Sequence, residues 1–295
     1  MTETVMSMQH KILSAGELKS VVRTMKGMAA SNIRQYEGAV DSLEDYFWTV
    51  RLGLAACLRE TVLLTDSVKT IQKEIGATGV IVFGSDQGLV GQFNDVMVDY
   101  VVNSLPNFQG NKILWAVGER MDSRLADIGL KPERRYNLPN SISAVTRFVG
   151  QLLADLEKDR EKGEITQVYI VHNQPVSGEK YRPTSQRLLP LDEEWRRNLV
   201  SIRWPTGNLP EVVNAREQTL LAFVREYLFV SLFRACVESL ASENSSRLAA
   251  MQRAEKNIDE LLEDLHRAFY RIRQSGIDEE LFDVISGFES MTDLG

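Results

Sequence analysis

Cysteine is scarce in this 295-residue chain, basic residues are in deficit, and long apolar runs are absent. A net charge of -7 argues against a nucleic-acid partner, because binding to phosphates needs a concentrated excess of Lys and Arg. The two cysteines, Cys57 and Cys236, lie in apolar runs, where a thiol is usually a small buried hydrophobe, so we expect a reducing compartment. No apolar run reaches the roughly 18 residues that cross a bilayer, and the first residues carry no signal-peptide core. We therefore expect membrane contact only through partners.

Proline is also missing from two long stretches near the ends of the chain. Because proline interrupts helices, its absence allows one long helix over Leu18–Ile75 and a second from Val212 to about Gln274. Gly276 is expected to break the second helix, with a short helical turn or two following through Ile285.

Apolar residues recur in both stretches at alternating steps of four and three, which is the seam of a coiled coil. In the first stretch these positions are Leu18, Val22, Met25, Ala29, Asn32 and Tyr36, then Val40, Leu43, Phe47, Val50, Leu54 and Cys57. In the second they are Ile258, Leu262, Leu265, Phe269 and Ile272. The pattern predicts that the two ends of the chain pack along one seam.

The middle of the chain has the texture of a layered α/β unit. Short β-branched runs, TGVIVFG, KILWAVG and TQVYIVHN, predict buried strands, and YRPTSQRLLPL predicts an edge strand. Helical spacing between them covers Phe93–Leu105, Glu119–Ile128 and Ser141–Glu161. The predicted domains are a helix over 1–75, an α/β domain over 76–208 and a helix over 209–295.

No residue pattern predicts a catalytic, metal or cofactor site. The segment Gly84–Asn94 follows a strand and precedes a helix, as a phosphate-binding loop does, but it matches neither the Walker pattern nor GxGxxG. A tight turn that seats a helix on the sheet explains it better. His10, His172 and His266 have no ligand at metal-binding spacing, so we expect surface or packing roles for them.

Three segments together resemble the gamma subunit of rotary, F-type ATP synthases. They are LKSVVRTMKGMAASNIRQ at Leu18–Gln35, SDQGLVGQFN at Ser85–Asn94, and ASENSSRLAAMQRAEKNIDELLEDLHRAFYRIRQSGIDEELFDVISG at Ala241–Gly287. The three motifs occur in the same order as in the family, and the two terminal motifs lie at the same ends of the chain. The region of roughly 107–208 is assigned by position only.

The resemblance implies a long antiparallel coiled coil of the N- and C-terminal helices plus a Rossmann-like α/β middle domain. It also implies a central-stalk rotor that couples rotation of an ion-driven c-ring to ATP synthesis or hydrolysis at beta subunits, with no active site of its own. The implied partners are the alpha and beta subunits, the epsilon subunit and the c-ring. The implied location is the cytoplasmic face of a bacterial plasma membrane, held there by partners.

The resemblance further implies five residues at partner interfaces: Met25, Lys26, Arg247, Arg273 and Gln274. Arg273 and Gln274 match an Arg-Gln pair that engages a beta-subunit loop, where a guanidinium offers several directed donors.

The chain departs from the family pattern at Asn32, Gln87, Gly276 and Asp278, and in the C-terminal FESMTDLG. These departures suggest a divergent branch, with the sodium-linked bacterial type as a hypothesis.

Two other functions fit the residues without the resemblance. One is an α/β nucleotide- or substrate-binding protein that dimerises through its end helices. The other is a coiled-coil scaffold that assembles with itself.

Overall fold

The computed structural model describes residues 4–62, 76–176, 180–208, 210–212 and 216–292. Two very long helices lie at the ends: α1 at Val5–Val62 and α6 at Arg216–Thr292. The last part of the first predicted helix, residues 63–75, lies outside the described residues. No helix among the described residues has an apolar stretch long enough to span a membrane.

The prediction that Gly276 breaks the second long helix is wrong, because α6 is continuous through this position. A single glycine inside a helix costs only about 1 kcal/mol relative to alanine, which the neighbouring turns absorb. The first helix also begins earlier than predicted, at Val5 rather than Leu18.

The chain divides into two compact units, to which both long helices contribute. The terminal unit comprises residues 1–28 and 248–295, and the central unit comprises residues 29–247.

In the terminal unit, α1 and α6 pack side by side and antiparallel. Lys19 pairs with Asp259 and Arg23 pairs with Glu255, so residue numbers rise along one helix as they fall along the other. The buried residues of the seam are Met8, Ala15, Val22, Met251 and Ile258.

One predicted seam position in the terminal unit is wrong by a residue. Leu18 is 53% exposed, whereas the side chain of Lys19 is 23% exposed. A lysine stem can line an apolar seam while its ammonium group reaches out, here to Asp259.

In the central unit the same two helices pack over a much larger core. Tyr36, Leu54 and Cys57 of α1 are buried as predicted, and Phe47 stacks on Tyr227 of α6 with ring centroids 5.6 Å apart. Asn32 donates from its amide nitrogen to the amide oxygen of Asn244 across 3.2 Å. The predicted packing of the two ends along one seam is therefore confirmed within each unit.

The central unit also contains a five-stranded sheet with the strand order β3-β2-β1-β4-β5. The strands are β1 at Ala77–Phe83, β2 at Lys112–Val117, β3 at Arg134–Tyr136, β4 at Ile165–Val176 and β5 at Lys180–Leu189. The first four are parallel, and β5 pairs antiparallel with β4 at the edge. The predicted α/β fold with a Rossmann-like middle is confirmed.

In the described residues, four shorter α-helices accompany the sheet, α2 at Phe93–Ser104, α3 at Glu119–Asp127, α4 at Ile142–Glu161 and α5 at Glu193–Val200, and a turn of 3-10 helix at Leu105–Asn107 follows α2. Alternate residues of β1 point to opposite faces, so Val80 and Val82 pack in a cluster with residues of α2 and α3. Ile81 and Phe83 pack in a second cluster with residues of α4 and of both long helices. The sheet is thus covered on both faces, as expected of parallel strands.

The sequence patterns predict neither β3 nor α5. β3 has only three residues, two of them arginine, so it carries no β-branched signal. α5 begins after Asp192, whose side chain accepts a hydrogen bond from the backbone N–H of Trp195 across 2.9 Å.

Candidate functional site

The segment Gly84–Asn94 connects β1 to α2 at the carboxyl ends of the parallel strands. In a doubly wound sheet, ligands bind at this edge, where the strand order reverses, which in this sheet is between β1 and β4. The segment is therefore the first place to look for a ligand site.

Three polar side chains of this segment, those of Ser85, Asp86 and Asn94, fix the conformation of the segment itself. The backbone N–H of Ser85 donates to the side-chain oxygen of Asn94 across 3.0 Å, and the amide nitrogen of Asn94 donates to Ser85 Oγ across 2.7 Å. Asp86 accepts hydrogen bonds from the backbone N–H groups of Glu119, at the start of α3, and Leu138, each across 3.0 Å. The arrangement holds a rigid turn.

The crevice beside this turn is occupied by α6. Ser246 Oγ donates to the carbonyl oxygen of Val90 across 2.5 Å, and Ser242 Oγ donates to the carbonyl oxygen of Asn173 in β4 across 2.9 Å. The place where a nucleotide would lie in a dinucleotide-binding protein is thus a contact with a helix of the same chain. The turn seats α6 as well as α2.

Arg247 follows this contact on α6, inside the central unit. One of its Nη atoms lies 2.6 Å from Glu243 Oε1, and the two side chains are 15% and 7% exposed. Burial raises the pKa of Glu243, and the charge of Arg247 opposes that rise only in part. Arg247 therefore has a buried partner and only a small exposed edge.

A second buried ion cluster, not foreseen from the sequence, joins β4 to α6. His172 Nε2 donates to Glu238 Oε2 across 2.7 Å, and Arg234 Nε donates to Glu238 Oε1, also across 2.7 Å. Burial alone would raise the pKa of Glu238, but the two hydrogen bonds hold it below its ordinary value. His172 is 3% exposed, and sequence spacing gave no sign of a partner 66 residues away.

Met25 and Lys26 lie together on α1 in the terminal unit. Met25 is half-buried against the cluster of Val22, Met251 and Ile258. Lys26 Nζ lies 2.5 Å from Glu255 Oε2, and Arg23 Nε donates to Glu255 Oε1 across 2.7 Å.

The two cations lower the pKa of Glu255 to about 2. Arg23 and Glu255 were not among the predicted site residues. Their partnership joins positions 232 residues apart in sequence, so only the register of the two helices reveals it.

Arg273 and Gln274 are exposed on α6 in the terminal unit. Neither side chain makes a hydrogen bond or ion pair with any residue in the described part of the chain. Arg273 lies about 27 Å further along the helix axis than Glu255, at roughly 1.5 Å per residue. The structure thus brings Met25 beside Lys26 and Arg273 beside Gln274, but it does not gather the five predicted residues into one site.

Within the described ranges, no group of three or more His, Cys, Asp or Glu side chains could hold a metal ion. The predicted site residues thus either take part in contacts between the two long helices or are exposed polar side chains.

Comparison with known proteins gives matches over nearly the whole chain. The family described as ATP synthase matches residues 4–291. The ATP synthase gamma chain of Glaesserella parasuis serovar 5 (strain SH0165) is 26% identical over 281 residues, which cover 94% of this chain and 96% of that protein. The gamma chain of Caldicellulosiruptor saccharolyticus is 28% identical over 284 residues, covering 94% and 95%.

Solved structures share the fold. The rotor of the Euglena gracilis mitochondrial ATP synthase in rotational state 1 superposes with a TM-score of 0.63 at 14% identity, covering 92% of this chain and 98% of that one. The central stalk and c-ring structure of the Tetrahymena thermophila mitochondrial ATP synthase gives a TM-score of 0.56 at 21% identity, covering 79% and 99%.

Proposed function

This chain belongs to the ATP synthase gamma family as a central-stalk rotor subunit, and we propose that it carries torque between an ion-driven c-ring and the catalytic sites of beta subunits. The observation that carries this proposal is the antiparallel packing of α1 and α6 in both units, by ion pairs in one and by an extended core in the other. A shaft that transmits torque needs two helices packed along their length, because a single long helix bends easily.

We place the ATP chemistry on the beta subunits and give this chain no catalytic step. The contacts of Ser242 and Ser246 support this assignment, because they fill the crevice in which a doubly wound fold binds nucleotides. The same contacts speak against the alternative of an α/β nucleotide-binding protein.

The proposed partners are a hexamer of alpha and beta subunits around the helix pair, and an epsilon subunit and the c-ring at the α/β domain. The proposed location is peripheral, on the cytoplasmic face of a bacterial plasma membrane, through these partners. The proposed domain boundaries remain 1–75, 76–208 and 209–295.

Met25, Lys26, Arg247, Arg273 and Gln274 are the proposed interface residues. The exposure of Arg273 and Gln274 supports their assignment, because both keep their hydrogen-bonding groups available to a partner. Because Arg247 is already paired with Glu243, we expect Arg247 to contribute less to any interface than Arg273 and Gln274 do.

The test is reconstitution of the full chain with alpha and beta subunits. We expect one copy per alpha-beta hexamer and a higher ATPase turnover than the hexamer alone shows. Several copies per hexamer would reject the rotor.

Replacing both Arg273 and Gln274 by Ala should weaken coupling or assembly and leave the helix content unchanged, and unaltered ATP synthesis would reject their role.

A further inference from the structure

A cavity of about 230 Å³ lies between the β4–β5 edge of the sheet and α6, inside the central unit. The sheet contributes four polar side chains to its lining, His172 and Gln174 of β4 and Thr184 and Gln186 of β5. Residues two apart in a strand lie on the same face, and His172 pairs directly with Thr184, so these side chains are neighbours. Pockets for drug-sized ligands measure about 300 to 1,000 Å³, so this cavity suits a molecule of only a few heavy atoms.

The opposite wall of the cavity comes from the two long helices. Ser231, Ala235 and Glu238 follow one another on α6 at steps of four and three, which places them on one helix face, with Arg234 beside them. The half-buried ring of Phe47, on α1, completes the lining. The cavity therefore has an apolar part, at Phe47 and Ala235, next to a polar and charged part.

Two buried polar atoms of this lining lack a partner among the described residues. His172 Nδ1 and Ser231 Oγ make no hydrogen bond, although each residue is only 3% exposed. Buried polar atoms are nearly always hydrogen-bonded, because an unpaired one is unfavourable. Both atoms therefore indicate that a small polar molecule occupies the cavity.

The charges of the lining admit one further negative charge. Glu238 accepts one hydrogen bond from Arg234 and one from His172, each on a different oxygen. With a neutral imidazole, Glu238 balances Arg234, and His172 Nδ1 is an acceptor. A second proton on His172 adds one positive charge and turns Nδ1 into a donor, which then needs an acceptor.

The other charged groups near this lining are exposed to solvent. Glu44, on α1, lies 3.9 Å from Arg234, and its side chain is 67% exposed. Arg182, on β5, is also exposed and donates to Gln174 across 3.5 Å. Water screens such charges, whereas imidazole changes its charge near neutral pH, so the proton on His172 decides whether an anion fits.

We propose that this cavity binds a small monocarboxylate, such as acetate or propionate, together with one proton on His172. The carboxylate accepts hydrogen bonds from His172, Ser231 and Arg234, and the alkyl group packs against Phe47 and Ala235. A dianion such as phosphate is a poorer match, because the cavity offers one unbalanced positive charge and an apolar wall. This inference is independent of the proposed function and adds a ligand site to the shaft.

The experiment titrates the full chain with acetate and with acetamide, its uncharged analogue, at constant ionic strength, and follows binding by ligand-detected NMR. We expect acetate to bind at about pH 6 with a Kd on the order of 1 mM, as befits so small a ligand. Acetamide should bind about tenfold more weakly, because it lacks the charge. At about pH 8 acetate should bind about tenfold more weakly, because binding takes up a proton.

Three substitutions test the assigned groups. R234Q should weaken acetate binding about tenfold, and S231A about threefold, since a hydrogen bond to a charged group contributes more when the donor is also charged. H172Q should remove the pH dependence, because an amide takes up no proton in this range. Circular dichroism reports the fold of each variant. S231A removes only one hydroxyl, so it decides the outcome if R234Q or H172Q loses helix.

Two residues of α6 provide matched controls. Arg225 also pairs with a carboxylate, and Ser239 Oγ is also buried without a partner among the described residues, but neither residue lines this cavity. R225Q and S239A should therefore leave acetate binding unchanged.

Acetate binding that strengthens on acidification and weakens in S231A and R234Q, but not in the controls, would support the site. Absence of acetate binding, equal binding of acetate and acetamide, equal weakening in the controls, or a pH dependence that persists in H172Q would overturn it and leave a cavity filled by water. None of these results bears on the rotor, which reconstitution with the alpha-beta hexamer tests separately.

Discussion

The same two helices are joined in different ways in the two units. In the central unit α1 and α6 belong to one large apolar cluster that includes the sheet and α4. In the terminal unit the corresponding cluster has three buried residues, Val22, Met251 and Ile258, and ion pairs lie along its rim. Apolar burial therefore dominates in one unit, while charge contributes a larger share in the other.

The difference suits a rotor. Exchangeable contacts with a partner need exposed polar groups, and the narrow seam of the terminal unit leaves many of them. In the central unit the two helices are instead joined by buried groups, such as Glu238, which is 4% exposed.

A large loss of stability is expected when Glu238 of the central unit is replaced. Replacing it by Ala leaves the buried His172 without its carboxylate and Arg234 with only the more distant carboxylate of Glu44, and removal of one partner from a buried ion pair costs about 3 kcal/mol. Denaturant unfolding of the full chain measures this loss. Glu157→Ala is the control, because its pair with Arg225 is far more exposed and should contribute less than about 1 kcal/mol. Equal losses would contradict the contrast between buried and exposed pairs.

The same carboxylate gives a pH dependence of known sign. The pKa of Glu238 is lowered in the folded chain, so its contribution is present above the unfolded pKa, near 4.5. The contribution is lost as pH falls through the lower folded pKa. The stability difference between the unaltered chain and Glu238→Ala should therefore be full at pH 7 and shrink below about pH 4. A difference that grew on acidification would reverse the assigned charge state.

A matched pair of leucines tests the apolar side of the comparison. Leu54 is fully buried in the central unit, and Leu262 is half-buried in the terminal unit. We expect Leu54→Ala to lower the free energy of unfolding by about 2 to 5 kcal/mol, because it removes contacts and leaves a cavity. Leu262→Ala should cost about half as much, in proportion to its buried area. Equal costs by denaturant unfolding would show that the terminal seam is as well packed as the central core.

Two glycines of the long helices should respond to the same change with opposite signs. A Cβ added at Gly53, in the central unit, would lie 2.4 Å from the ring of Phe223, so Gly53→Ala should destabilise by about 1 to 3 kcal/mol. A Cβ at Gly276, in the terminal unit, meets no atom within 4 Å, so Gly276→Ala should stabilise the helix by about 0.5 to 1 kcal/mol. Amide exchange near each position measures both effects. A stability change of the same sign at both positions would contradict the difference in packing between the units.

Much of the fold was readable from the sequence because the signals are local. Missing prolines marked α1 and α6, and β-branched runs marked β1, β2 and β4. The sequence-based prediction is wrong where a residue's local preference has only a small free-energy cost. A helix end at Gly276 does not follow, because one glycine costs little, and the apolar pattern that selects Leu18 does not register the apolar stem of Lys19.

The contacts of the candidate site could not be predicted in the same way. Glu255 meets Arg23 and Lys26, and Glu238 meets His172, only because the fold sets a register between distant segments. Periodicity predicts which face of a helix is buried, but a charged residue beside a seam has several possible partners across it. A match to a family motif also does not show which motif residues already have an ion-pair partner within the chain, as Lys26 and Arg247 have.

The smallest expected effect, a response to salt, separates the two units most directly. Raising NaCl from about 0.05 M to 1 M shortens the screening length to roughly 3 Å, which weakens exposed pairs such as Lys19–Asp259 more than the buried pairs of Glu238. Amides of residues 8–28 should then exchange about two- to five-fold faster, as expected when exposed ion pairs are lost. Amides of residues 47–57 should change less, because apolar burial holds that part of α1 and salt does not weaken it. Hydrogen exchange of the full chain, followed by mass spectrometry, reports both segments in one sample. Equal acceleration in both would mean that charge contributes no more to the terminal pair than to the central one, and the contrast between the units would then rest on packing alone.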